Sequence, residues 1–223
     1  MTSHMTHQTA ILLIAGQGTR FKTTTPKQFL QLAGRPLYQH SLDALIASQV
    51  FDEIIVVVPP GYSLKIDGVK IVTGGATRQQ SAYRGLKACS PKTEYVLIHD
   101  GARPFLTVEM IHAALNGAHK HGAINTCIPS SDTLIYSPNG ETIESIPKRA
   151  HLYRGQTPQA FAYPLIVKAH ESANGDGATD DCQLVSNIGH KVHIVQGIPE
   201  NIKVTNPIDM AIAEALMKRR KKD

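Results

Sequence analysis

Leu12-Leu13-Ile14-Ala15-Gly16-Gln17-Gly18-Thr19-Arg20-Phe21 joins a short apolar strand to a glycine-punctuated loop that carries a cation. The strand starts near Thr9, and its unbroken apolar run is that of a strand covered on both faces. Glycine lets a backbone close on a bulky anion and aim its N–H groups there, which a β-carbon hinders. Lys27 follows in Pro26-Lys27-Gln28-Phe29, so a second cation stands beside the loop. Two cations beside such a cradle suggest a triphosphate on which charge builds as a bond breaks. The spacing is neither common phosphate fingerprint: GxxxxGK[ST] is absent, and Gly16-x-Gly18 lacks the third glycine of the dinucleotide motif. Taken alone, the loop also reads as a tight strand-exit turn with a solvated Arg20.

Outward from that stretch, apolar strand patterns alternate with helical ones, which predicts an α/β fold on a mainly parallel sheet. Strands are expected at residues 10–15, 53–58, 69–73, 95–99, 123–128 and 192–196. Thr77 caps a predicted helix that runs to Ala88. Val108, Ile111, Leu115 and Ala118 keep helical spacing, and Asn206-Pro207 opens a closing helix to Met217. Residues 59–68, opening on Pro59-Pro60-Gly61, leave barely enough chain for a crossover helix. Residues 132–156 break the pattern more sharply. Asp132-Thr133-Leu134-Ile135-Tyr136, a Ser137-Pro138-Asn139-Gly140 turn and residues 141–146 read as a β-hairpin. Such a hairpin is either an arm pairing across a homodimer or a local flap.

With 223 residues, one substantial core and one domain, 8–223, are expected, while residues 1–7 read as disordered or tag-derived. Charged residues at 18% and hydrophobic ones at 42% are a globular composition. No apolar run suits a bilayer, and no secretory segment precedes the first strand, so a cytoplasmic protein without membrane contact is expected. The net charge of +5 is concentrated in Lys218-Arg219-Arg220-Lys221-Lys222. A solvated helix end explains that tail more simply than nucleic acid, which is not expected as a partner. Cys89, Cys127 and Cys182 are widely spaced, form no zinc pattern, and are expected reduced and mostly buried.

Ligands collect at the carboxyl ends of parallel strands, and so do the motifs. The third strand delivers Gly74-Gly75-Ala76-Thr77-Arg78, the fourth His99-Asp100-Gly101-Ala102-Arg103-Pro104, and the fifth Ser130-Ser131-Asp132-Thr133. Asp100 suits a Mg²⁺ that takes one carboxylate plus substrate phosphates. His99, on the other face of the strand, reads as a hydrogen-bonded core histidine. Arg103 serves either Asp100 or a substrate phosphate. No nucleophile triad or paired-carboxylate set stands out. Cations, one metal carboxylate and backbone donors are the equipment of nucleotidyl transfer by positioning and charge stabilisation.

These motifs, with Gln156-Thr157-Pro158-Gln159 and Asn201-Ile202-Lys203-Val204-Thr205, resemble in order and register the methylerythritol phosphate cytidylyltransferase family over nearly the whole chain. The resemblance implies transfer of CMP from CTP to 2-C-methyl-D-erythritol 4-phosphate with release of pyrophosphate. It further implies Mg²⁺, and a Rossmann-like domain whose hairpin arm clasps a second subunit. Arg20 and Lys27 match the pair that stabilises the reacting α-phosphate, and Asp100 matches the Mg²⁺ ligand. Ala15, Gly16, Gln17, Gly18, Thr19, Gly75 and Ser81 fall in nucleotide-binding segments. Lys203 is counted with the nucleotide and also matches the sugar-phosphate site, with Thr133, Arg149, Thr157 and Thr179. Arg103 joins that acceptor group, and Arg149 would come from the partner subunit. The family's usual Ala-Ala-Gly has Ile14 in first place, its His-Asp-Ala-Ala-Arg-Pro has Gly101, and its basic residue after Leu134 is Ile135. Leu152-Tyr153-Arg154-Gly155-Gln156 is closer to the sister ribitol 5-phosphate cytidylyltransferases, which gives the alternative acceptor.

Overall fold

The structure, a computed structural model, describes residues 6–16 and 26–220. Its centre is a seven-stranded sheet in the order β5-β4-β1-β6-β8-β7-β9. β1 (Gln8–Leu13) lies between β4 (Glu53–Val58) and β6 (Tyr95–Asp100), parallel to both, and β5 (Lys70–Thr73) extends the parallel run to one edge. β7 (Ala123–Pro129) pairs with edge strand β9 (His193–Gln196) in parallel. All six expected strands are present.

β8 (Tyr153–Ala162) was not expected. It runs antiparallel to β6 on one side and β7 on the other. Its first four residues fall within the arm expected at 132–156, so the arm ends earlier. Pro158 explains why the strand was illegible, since proline lacks the N–H a central strand needs. The sheet absorbs it at an irregularity where the β7–β8 register shifts between Asn125 and Cys127. Because β8 is reversed, its start lies at the same edge as the ends of β1 and β6.

β1 shows how the sequence splits the core. Ala10, Leu12 and Ile14 face one layer, with α1 (Leu37–Ala47) and α3 (Val108–His121) packed on it; Ile11, Leu13 and Ala15 face the other. That second layer holds α2 (Arg78–Lys87), α4 (Tyr163–Glu171) and α5 (Asp181–Asn187). α3 starts where the Thr107 side chain accepts from the Met110 N–H and stops at Gly122, whose φ of +79° is the left-handed cap. A small third cluster seats α6 (Pro207–Arg220) on Leu32, Leu37 and Phe105; Leu32 belongs to the short hairpin of β2 (Gln31–Leu32) and β3 (Arg35–Pro36). Residues 59–69, with barely enough chain for a crossover helix, cross between β4 and β5 without one. No helix among the described residues is long and apolar enough to cross a membrane.

Residues 131–150 project from the sheet edge. The Ser130 N–H donates to the Leu152 carbonyl at their base, and the excursion holds one isolated bridge, Tyr136 to Ser145, in place of two full strands. Asn139 Oδ1 accepts from the Glu141 and Thr142 N–H groups and forms the expected turn. His7, expected outside the folded chain, is tied to it: its carbonyl accepts from the Glu94 N–H at 2.9 Å.

Candidate active site

Asp100 is the last residue of β6 and lies in register with Leu13, at the mouth of the loop after β1. Its carboxylate joins two cations: Oδ1 lies 3.2 Å from Arg78 Nε, and Oδ2 lies 2.6 Å from Lys203 Nζ. Burial alone would raise its pKa. Arg78, then Lys203 and Arg103, outweigh that and hold the carboxyl well below the usual range.

The backbone of Asp100 is fixed by a buried chain of hydrogen bonds. Burial drives the His99 pKa down to about 4, so the ring is neutral near pH 7. A neutral imidazole has one donor and one acceptor. With Nε2 facing the Arg103 carbonyl at 3.1 Å, Nε2 must carry the proton, and Nδ1 accepts from the Thr157 hydroxyl at 3.0 Å. Thr157 Oγ1 in turn accepts from the Asp100 N–H at 3.1 Å. The hydroxyl expected to donate to a sugar phosphate is therefore committed to His99, and Thr157 acts as scaffold. The core reading of His99 holds.

Arg103 is buried and braces the surrounding walls. Its Nη1 donates to the Asn201 carbonyl at 2.8 Å and its Nη2 to the Gly155 carbonyl at 3.3 Å. Asn201 Nδ2 donates to the Thr157 carbonyl at 2.8 Å, so the segment carrying Lys203 is laced to the start of β8. Arg103 thus braces the walls through backbone carbonyls and also lines the cavity beside Thr179.

A cavity of about 200 Å³ opens on one side of Asp100, lined by Ala15, Gly16, Lys27, Arg78, Ser81 and Lys203 among others. Pro26 introduces the short turn Lys27–Phe29 that places Lys27 there. The Gly75 N–H donates to Ser81 Oγ at 3.1 Å, which shapes the loop before α2. A β-carbon on Gly74 would lie 2.4 Å from that of Ala15, so the two loops meet at a separation only glycine permits. On the other side of Asp100 a cavity of about 230 Å³ is lined by Arg103, Gln156, Thr157, Thr179 and Asp180. Arg78, Asp100 and Lys203 belong to both cavities. Two compartments thus meet at one carboxylate with its cations, an arrangement suited to two phosphate-bearing molecules reacting across it.

Gln17, Gly18, Thr19 and Arg20 lie outside the described residues. Thr133 and Arg149 are exposed on the projecting excursion and line neither cavity; Arg149 Nη1 donates to the Ser131 carbonyl at 3.4 Å. Arg78, Asp181 and Asn201 were absent from the expected site. Arg78 did carry a signal, a cation directly after the glycine pair and a helix-capping threonine.

For Mg²⁺ the described residues form no preassembled cage of three or more His, Cys, Asp or Glu side chains. Asp100 is the carboxylate at the junction, and its partner Lys203 is 38% exposed and can swing aside. That donor set fits an ion that takes one protein carboxylate and the rest of its ligands from phosphates and water.

A model of the 2-C-methyl-D-erythritol 4-phosphate cytidylyltransferase family matches residues 8–219. The chain belongs to this family. The enzyme of that name from Pelotomaculum thermopropionicum is 41% identical across 95% of this chain and 94% of its own length. That of Desulforamulus reducens is 40% identical across 95% and 96%. The fold agrees as well. The crystal structure of 4-diphosphocytidyl-2C-methyl-D-erythritol synthase from Anaerococcus prevotii superposes with a TM-score of 0.83 at 31% identity, covering 96% of this chain and 99% of that one. The cytidylyltransferase from Thermus thermophilus gives 0.80 at 36% identity, covering 93% and 98%. These names support the methylerythritol reading over the ribitol alternative.

Two of the departures from the family pattern, Ile14 and Gly101, meet in space. A β-carbon on Gly101 would lie 2.4 Å from Ile14 Cγ2. The larger residue at 14 occupies the volume that an alanine at 101 would need, so Ile14 and Gly101 form a compensating pair.

Proposed function

We infer that this chain is a nucleotidyltransferase that moves CMP from CTP to 2-C-methyl-D-erythritol 4-phosphate and releases pyrophosphate. Family membership supports the chemistry, and the single structural observation that carries it is the sharing of Arg78, Asp100 and Lys203 by two cavities. The cavity beside Ala15, Gly16, Gly75 and Ser81 takes the nucleotide, and the one beside Thr179 takes the acceptor. An acceptor phosphate oxygen bonds to the α-phosphorus while the bond from that phosphorus to the bridging oxygen breaks, and the electron pair leaves on pyrophosphate. A phosphomonoester is already anionic near pH 7, so the attack needs no side-chain base. Lys27, together with Arg20 as the family resemblance implies, supplies positive charge to the crowded α-phosphate, and Lys203 does so from the junction. Asp100 would hold Mg²⁺, which supplies further charge neutralisation.

The arm gives this reading a quaternary form. Leu134, Ile135, Tyr136, Ile143 and Ile146 are exposed on it, Ile143 at 59%. An apolar projection of this kind suits pairing with a second copy in a homodimer, which would bring Thr133 and Arg149 to the partner's acceptor cavity. Three free thiols suit a reducing compartment, which favours the cytoplasm. Pyrophosphate release from CTP and Mg²⁺ with 2-C-methyl-D-erythritol 4-phosphate, set beside ribitol 5-phosphate, tests the assignment. Faster turnover of ribitol 5-phosphate would overturn it.

A further inference from the structure

Arg78 stands in an unfavourable place for a cation. It is the first residue of α2, at the positive end of the helix dipole, and the helix has no acidic residue in its first turn. Carboxylates from two other elements compensate it, Asp100 at the end of β6 and Asp181 at the start of α5. Asp181 is completely buried. Its Oδ2 accepts from Arg78 Nη1 at 2.8 Å, and its Oδ1 lies 3.0 Å from His170 Nε2. His170 is buried too, and stacks on Tyr83 of α2 with ring planes 7° apart.

The next two residues of α2 reach the same region. Gln79 Nε2 donates to the Gly175 carbonyl at 2.9 Å, and its Oε1 accepts from the Ala178 N–H at 3.1 Å. Gln80 Nε2 donates to Asp176 Oδ2 at 2.6 Å. Three successive side chains thus fasten residues 175–181 to the helix behind the nucleotide cavity, and Thr179 of that segment lines the acceptor cavity. Asp181 is the buried end of this fastening. Without its charge the Arg78 guanidinium loses one of its two carboxylate anchors and rocks about the other, Asp100, dragging that carboxylate with it. The carboxylate between the cavities would then turn from Lys203.

We propose that Asp181, backed by His170, is a positioning residue for nucleotidyl transfer: it holds the Arg78 guanidinium, and through it the direction of the Asp100 carboxylate. This rests on the cytidylyltransferase reading. The test compares the native protein with Asp181→Asn, Asp181→Glu, Arg78→Gln and the Arg78→Gln/Asp181→Asn pair. It uses steady-state kinetics with CTP, Mg²⁺ and 2-C-methyl-D-erythritol 4-phosphate, together with arginine Nε–Hε NMR spectra. Asp181→Asn should lower kcat by about 10- to 100-fold while both KM values stay within about threefold. Asp181→Glu should recover to within about fivefold of native. The Arg78 Nε–Hε signal should be sharp in the native protein and broadened in Asp181→Asn. Because Asp181 acts through Arg78, the pair should turn over within about twofold of Arg78→Gln alone. The pair also keeps the charge balance should Asp181→Asn fail to fold. Native kcat or a sharp Arg78 signal in Asp181→Asn, failure of Asp181→Glu to recover, or additive losses in the pair would each overturn the proposal. If the native protein turns over neither polyol phosphate, the enzyme reading fails, and the Arg78 signal alone decides whether Asp181 positions it.

Discussion

The Asp100 junction and the projecting arm are built on opposite plans. At the junction every carboxylate oxygen of Asp100 and Asp181 has a partner within 3.2 Å, and the side chains behind them are buried. On the arm nearly every residue from 131 to 150 is exposed, and one bridge holds the excursion together. A site that stabilises charge gains from groups that need no rearrangement as the reaction proceeds, which the junction provides within one chain. The arm lacks such internal support, and the proposed homodimer would supply it from a second copy. On the homodimer reading proposed above, the contrast would separate what one chain completes alone from what it completes with a second copy.

The sharpest way to break this division is at Lys27. Lys27→Ala should lower kcat by about a hundredfold or more with CTP affinity less affected, because its charge matters most as the phosphate gains charge. Steady-state kinetics with calorimetric CTP binding measure both. Loss of affinity with kcat intact would mean that Lys27 serves the ground state alone.

Next in size is the arm. Arg149→Ala should be as inactive as Lys27→Ala in isolation. Mixed heterodimers should regain activity if Arg149 serves the partner's cavity, since one of the two sites then keeps both residues. Purified heterodimers without recovery would return Arg149 to its own subunit. In the same spirit, Tyr136→Asp/Ile143→Asp should convert dimer to monomer by analytical ultracentrifugation while shifting Tm little, because neither side chain packs in the core.

How far the site could be read from sequence follows the same division. Continuous apolar strands with helices between them are written locally, and so is the gathering of motifs at strand ends. β8 was hidden because its usefulness is non-local. Gln156, Thr157 and Gln159 look like loop residues until the sheet buries them against partners on β7, the Lys203 strap and Asp100. Asp100 and Lys203 were both identified, but their 2.6 Å pairing joins residues 103 positions apart and has no local signature. Asp181 was missed for the same reason. The arm failed in the other direction. Its turn chemistry is strong and correctly placed, yet hairpin pattern alone does not make two strands when neither has a sheet or a core to join.

Ile14 and Gly101 offer a smaller test on the single-chain side. Gly101→Ala should cost about 1–3 kcal/mol, because its methyl meets Ile14 Cγ2 in a packed layer. Ile14→Ala alone should destabilise by leaving a cavity, by about 2–5 kcal/mol at most. The double variant should lose less than the sum of the two single losses, since each change supplies the space or volume the other lacks. Denaturant unfolding of all four proteins measures the coupling. Strict additivity would make the 2.4 Å approach irrelevant and the two departures independent.

The smallest effect concerns the thiols, two of which are buried and one half-buried. Burial pushes the Cys89 thiol up to about 12 and Cys127 up to about 11, while Cys182, the most enclosed, is raised further. A thiol whose folded pKa exceeds its unfolded value near 9 binds its proton more tightly when folded. Stability from each is therefore complete below pH 9 and lost as pH rises from 9 through the folded values. The slope from one thiol is at most about 1.4 kcal/mol per pH unit, and less for partly exposed Cys89. Unfolding free energy measured from pH 8 to 10.5 should fall in the native chain and fall less steeply in Cys182→Ala. If the curves are parallel, the layer under β7 is open to water, and the buried half of the comparison loses its support there.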